Sequence, residues 1–150
     1  MEINGIAHTM ITVANFDACV AFYRRLLPFM GLSHVVYDEK DYFYCIGGRT
    51  GFGVIRCAEK YRGERADQTR QGVHHICFRA RSSEDVDAVH DLVRELGAKI
   101  IRGPEVGHWA PGYYSVLFED PDGVLLEVNY IPGKGLLAEN TKPGRWSESE

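Results

Sequence analysis

A weak internal repeat constrains this chain more than any other feature. The first half opens on Ile6-Ala7-His8-Thr9-Met10-Ile11-Thr12-Val13, a β-branched stretch that reads as a strand. A helix pattern follows, with Asn15 as its cap and Phe16, Cys19, Val20, Tyr23, Leu26 and Leu27 at helical spacing. Pro28 and Gly31 are its stop signals. Three short strands are then expected over 33–38, 42–46 and 51–57. The second half repeats the order. Val73-His74-His75-Ile76-Cys77-Phe78-Arg79-Ala80 is a strand, and Ser82-Ser83-Glu84-Asp85 is an N-cap with an acidic first turn. Val86, Val89, Val93 and Leu96 share a helical face that ends at Gly97. Strands are expected over 99–102, 113–119 and 124–130, the last two joined by the turn Asp120-Pro121-Asp122-Gly123.

Each half therefore reads β-α-β-β-β, offset by about 66 to 72 residues. The predicted fold class is α+β, with two such modules forming a cupped mixed sheet. One domain of 150 residues is expected: module one over about 4–58, a polar linker over 59–71, module two over about 72–131 and a tail over 132–150. A chain of this length can bury roughly 69% of its unfolded surface, so a core needs no staples. One such module leaves a sheet face uncovered. Two together make a cup where a ligand would sit.

Composition excludes several classes. Seventeen basic and 21 acidic residues give a net charge of −4, without the basic stripe that nucleic-acid binding needs. No apolar run is long enough to span a membrane, and residues 1–5 lack a signal-peptide pattern. Cys19, Cys45, Cys57 and Cys77 form no C-x-x-C pair, and reduced thiols in a cytoplasmic protein are expected. Cys57 and Cys77 lie in apolar strand patterns, which favours packing.

Three residues carry the chemistry. His8 and His75 occupy matching places in the two opening strands. Glu127 lies mid-strand among apolar residues, where an unpaired carboxylate is rare, and alternation puts it on one face with Leu125 and Asn129. A strand histidine alone is usually satisfied by a backbone partner. The repeat and the carboxylate reverse that reading. Two histidines and one carboxylate in a cup suit Fe(II), Mn(II), Zn(II) or Ni(II) with open positions. His74 is sent to the opposite face by alternation.

The pattern resembles the vicinal oxygen chelate superfamily of glyoxalases, bleomycin- and fosfomycin-resistance proteins and extradiol dioxygenases. The resemblance rests on Ala7-His8-Thr9, Ala21-Phe22-Tyr23, Val73-His74-His75-Ile76 and Phe118-Glu119-Asp120-Pro121-Asp122-Gly123 with Glu127, and covers about residues 4–131. It implies a divalent metal held by His8, His75 and Glu127, gripping two adjacent substrate oxygens and stabilising an oxyanion. It also implies a homodimer, in some members with halves exchanged between chains. Glyoxalase I has a fourth ligand in the last strand of module one. Here the matching position is Gly53 or Ile55, neither of them a ligand. His108, Asp120, Pro121, Gly123 and Glu127 fit the dioxygenase spacing, but the tyrosine of that signature is Leu117, with Tyr113 and Tyr114 nearby and displaced.

His108 is the candidate general acid or base alongside Glu127. Trp109 in the Gly- and Pro-punctuated loop 103–112, Arg56, Tyr44 and Tyr114 are the candidate substrate contacts. Packing competes as a reading for Trp109, and a strand-end position for Arg56. Tyr37, Tyr42 and Phe43 read as core and edge packing. His34 and His90 read as surface or helix residues, and Glu148-Ser149-Glu150 as a solvated tail. The functional expectation is a metal-dependent lyase or isomerase acting on a small oxygenated metabolite through a metal-bound enediolate. The alternatives are an Fe(II) extradiol-type dioxygenase and a resistance protein that binds its small molecule without chemistry or transfers a thiol to it.

Overall fold

The computed structural model describes residues 1–142; Trp146 and the segment 148–150 lie outside the described residues. The elements are β1 (His8–Val13), α1 (Phe16–Phe29), β2 (His34–Asp38), β3 (Tyr42–Gly47), β4 (Thr50–Arg56), β5 (His75–Arg79), α2 (Ser83–Glu95), β6 (Lys99–Gly107), β7 (Tyr113–Glu119) and β8 (Leu125–Tyr130). Both β-α-β-β-β modules are present, as an α+β fold with two four-stranded mixed sheets. The chain forms two compact units. The first spans Met1–Asp67 together with Asp120–Val124, and the second is built from Gln68–Glu119 and the described residues that follow Val124.

In the first unit the strand order is β1-β4-β3-β2, with β1 and β4 parallel and the other pairs antiparallel. The apolar stripe of α1 buries Phe16, Cys19, Val20, Tyr23, Leu26 and Leu27 with Val13, Phe43, Cys45, Phe52 and Val54 of the sheet. Side chains that large contribute roughly 1.5–3 kcal/mol each when fully buried. The cap of α1 differs from expectation. Asn15 makes no side-chain cap bond. Instead the Asp122 carboxylate accepts from the amides of Ala14 (2.7 Å) and Asn15 (3.0 Å), putting a negative charge at the positive end of the helix dipole. Asp120 accepts the Tyr23 hydroxyl at 2.8 Å and the amides of Asp122 and Val124. The β7–β8 turn is thus hydrogen-bonded into the first unit. Pro28 sits inside the last turn of α1, and Gly31 supplies the left-handed residue that stops it.

In the second unit the order is β5-β8-β7-β6, with β5 and β8 parallel. Val86, Val89 and Val93 of α2 are buried with Val116, Phe118, Leu126 and Val128. Ser82 caps α2 as expected, accepting from the Asp85 amide at 3.2 Å. Strand β6 is longer than the sequence pattern suggested. It runs through Gly103 and Pro104 to Gly107, with its register shifting between Ile100 and Arg102 and again between Arg102 and Glu105. A Pro would end a regular strand, but a bulge absorbs it. The linker carries one 3-10 turn at Glu59–Tyr61, and the tail another at Gly135–Leu137 that leaves Leu137 exposed. No helix among the described residues is long and apolar enough to cross a membrane.

Candidate functional site

Each sheet has one face on its helix and one open face. The parallel register pairs His75 with Leu125, Cys77 with Glu127 and Arg79 with Asn129. Antiparallel pairing sets Leu117 against Glu127 and Ser115 against Asn129. Directly paired residues share a face, so His75, Cys77, Glu127, Asn129, Ser115 and Tyr113 all lie on the open face of the second sheet.

Glu127 is only 4% exposed there. Its two oxygens have different partners. The Tyr113 hydroxyl donates to Oε1 at 2.8 Å, while His75 Nε2 stands 3.3 Å from Oε2. Arg102 Nη2 lies 3.8 Å from Oε1. The Arg102 guanidinium stacks over the Trp109 ring at 4.3 Å, and that ring contacts Tyr113 and His108 at 5.2 and 4.8 Å between centroids. Trp109 lies flat against β6 because Gly107 has no side chain: a Cβ there would fall 2.1 Å from the indole. Sequence reasoning set Tyr113 aside and passed over Arg102. Alternation from Glu127 through the β7–β8 turn would have found Tyr113. Arg102 reaches this face only through the bulged strand, which no local pattern shows.

Burial and its charged neighbours shift two groups. Burial, with Glu127 next to it, pushes the Cys77 thiol up to about 12. The residue as a whole presents surface to solvent, so the expectation of a packed core cysteine is corrected. Its sulfur nevertheless stays a neutral thiol near neutral pH. Burial first, then Cys77 and Glu127, also raise Tyr113, which remains a phenol and a donor. All four cysteines are free.

Tyr114 alternates to the opposite face and its hydroxyl donates to Asp87 of α2 at 2.7 Å, so it does not join this cluster. Arg56 in the first unit is held by Asp41 (2.7 Å) and Asp17 (2.9 Å) and stacks over Phe16. Those contacts give it the strand-end role, tying the end of β4 to α1 and to the β2–β3 turn. His74 turns its Nδ1 to within 2.9 Å of His75 Nδ1. His90 sits beside Asp91 at 3.4 Å on α2.

On the open face of the first sheet, His8 pairs with Gly51, and Met10 with Gly53. Tyr44 meets His8 edge-on, with centroids 6.3 Å apart. Tyr37, Tyr42 and Tyr44 form a ladder with centroid distances of 5.0 to 6.4 Å. The registers also choose between Gly53 and Ile55. Cys77 pairs with Glu127 as Met10 pairs with Gly53, so Gly53 is the counterpart of Glu127.

Two ligands about 2.1 Å from one ion and about 100° apart are separated by about 3.3 Å, which is the His75–Glu127 spacing. The donor set of one imidazole and one carboxylate therefore fits half of a divalent site. Among the described residues no three His, Cys, Asp or Glu side chains are grouped to hold a metal.

Residues 5–128 match the family model of the Glyoxalase/Bleomycin resistance protein/Dioxygenase superfamily. The chain belongs to this superfamily. It is 36% identical over 137 residues to the metallothiol transferase FosB of Shouchella clausii, covering 91% of this chain and 84% of that protein. It is 29% identical to the protein named Probable lactoylglutathione lyase of Synechocystis, over 82% of this chain and 92% of that one. The structure of a glyoxalase/bleomycin resistance protein from Albidiferax ferrireducens superposes with a TM-score of 0.68 at 21% identity, covering 85% of this chain and 98% of that chain. That last likeness concerns the fold. The superfamily includes enzymes of more than one reaction type, so the reaction must be argued from the site.

Proposed function

We propose that this protein is a divalent-metal-dependent enzyme of the glyoxalase type, with lyase or isomerase chemistry on a small oxygenated metabolite. His75 and Glu127 would hold the metal, with His8 as the third ligand. The observation that carries this reading is the buried Glu127 carboxylate turning one oxygen to His75 while Tyr113 occupies the other. A bound divalent ion supplies Lewis acidity toward two adjacent substrate oxygens. The chain's own residues do the rest. Tyr113 fixes the orientation of the carboxylate, as outer partners of ligands do. Arg102, braced on Trp109, places positive charge where an oxyanion develops. His108, stacked on Trp109, is the candidate group for moving a proton.

A second reading, thiol transfer, is favoured by the 36% identity to a metallothiol transferase. Consumption of a low-molecular-weight thiol in the presence of an oxygenated electrophile would select it. Isomerisation of hemithioacetals would select the first reading. Calorimetric titration with Mn²⁺ tests both. Glu127→Gln, His75→Ala and His8→Ala are each expected to weaken Mn²⁺ binding at least about 100-fold. Unchanged affinity in all three overturns the metal site.

A further inference from the structure

The bulge in β6 acts on the site. Arg102 pairs with Leu117, which pairs with Glu127, so the three stand in one row across β6, β7 and β8. Glu105 pairs with Ser115, so three steps along β6 match two along β7. In a regular strand, side chains three residues apart point to opposite faces. The extra residue cancels that, and Arg102 and Glu105 both lie on the open face with Glu127.

Arg102 thereby stands between two carboxylates. Its Nε is 3.6 Å from Glu105 Oε1, and its Nη2 is 3.8 Å from Glu127 Oε1. The two spacings are nearly equal, and both are longer than a hydrogen bond. The carboxylates differ in surroundings: the Glu127 side chain is 5% exposed and that of Glu105 is 54% exposed. A buried carboxylate depends on a neighbouring cation, whereas a hydrated one does not. The guanidinium stacks on the Trp109 ring at 4.3 Å, and that ring lies against the bare backbone of Gly107. It can slide between the two glutamates without leaving the indole face.

We infer that Arg102 is the cation that Glu127 exchanges for a divalent metal ion, and that Glu105 receives the guanidinium when the exchange takes place. The inference rests on the reading of His75 and Glu127 as metal ligands. Two positive charges at Glu127 outweigh the one on Arg102 and repel it. A monovalent ion has no such advantage, so the exchange selects for divalent ions. Arg102 acts here through Glu127 and is a positioning residue that sets the affinity of the site.

The test is calorimetric titration of the metal-stripped full chain with Mn²⁺. Arg102→Gln removes the competing cation and is expected to bind Mn²⁺ at least about tenfold more tightly. Glu105→Gln removes the receiving carboxylate and is expected to bind about fivefold more weakly. The double variant separates exchange from a general charge effect. With Arg102 replaced there is nothing for Glu105 to receive, so adding Glu105→Gln should change affinity by less than about twofold. A second readout is the melting temperature. Arg102→Gln should melt lower than the parent without metal, and saturating Mn²⁺ should close that gap. Binding that does not tighten in Arg102→Gln, a Glu105→Gln effect that persists in full in the double variant, or a melting gap that Mn²⁺ leaves unchanged overturns the exchange alone, provided that His75→Ala and Glu127→Gln lose Mn²⁺. If those two also bind Mn²⁺ as the parent does, the metal site beneath the exchange is overturned with it.

Discussion

In the first module the strand beside the histidine strand turns Gly51, Gly53 and Ile55 to the open face; in the second the equivalent strand turns Leu125, Glu127 and Asn129. The backbone pairing is the same. The side chains above it are opposite in kind. A Cβ on Gly51 would lie 2.2 Å from the Tyr44 hydroxyl, and one on Gly53 would meet Met10 at 2.7 Å and the Phe43 carbonyl at 2.6 Å. The first module has filled the place of a ligand with tyrosine and methionine packed on bare backbone. The second keeps a carboxylate there and surrounds it with hydrogen-bonding partners. A repeated fold thus conserves the scaffold for a site while only one copy carries the carboxylate.

The largest way to break this comparison is Gly53→Glu, which installs the missing carboxylate. The close contacts predict a loss of roughly 3 kcal/mol of stability, measured by urea denaturation, and no gain in Mn²⁺ affinity. A stable variant with tighter metal binding would mean that Met10 gives way easily. The helix caps supply the next contrast. Asp122→Ala removes two amide partners from α1 and should cost about 2 kcal/mol, against about 1 kcal/mol for Ser82→Ala at α2. Equal losses would show that the Asp122 contacts add nothing beyond an ordinary cap.

Asp120 gives a pH signature to the first unit. Burial raises its pKa above the ordinary value of 3.8, despite the bonds from Tyr23, Val124 and Asp122 that pull it down. The folded state then binds this proton more tightly than the unfolded chain. That contribution to stability is full below the ordinary value and is lost as pH rises through the raised one. Asp120→Asn should remove that slope from a stability–pH profile, and its persistence would assign the slope to another group. The smallest effect is expected at Tyr114→Phe, about 0.5 kcal/mol from the exposed bond to Asp87, with Mn²⁺ binding unchanged.

Much of the fold was legible because its signals are local. Period-two alternation, the α2 cap at Ser82 and the turn at 120–123 all appear where the residues imply them. The cap of α1 was not legible, since Asp122 lies 107 residues from the amide of Asn15 that it takes. The contacts of Arg56 and Tyr114 were not legible for related reasons. Two distant aspartates hold Arg56, and the parity of β7 turns Tyr114 to the helix.

The sequence by itself determined the two modules, their helices and the face that carries Glu127, because backbone periodicity and turn chemistry act over a few residues. Only the tertiary structure decided that Tyr113 and Arg102 surround that carboxylate, that Ser115 and Asn129 are buried on the same face, and that Gly53 rather than Ile55 is its counterpart. Those facts depend on strand register and on a bulge in β6. Register sums many weak contacts across the sheet, and no single stretch of sequence contains it.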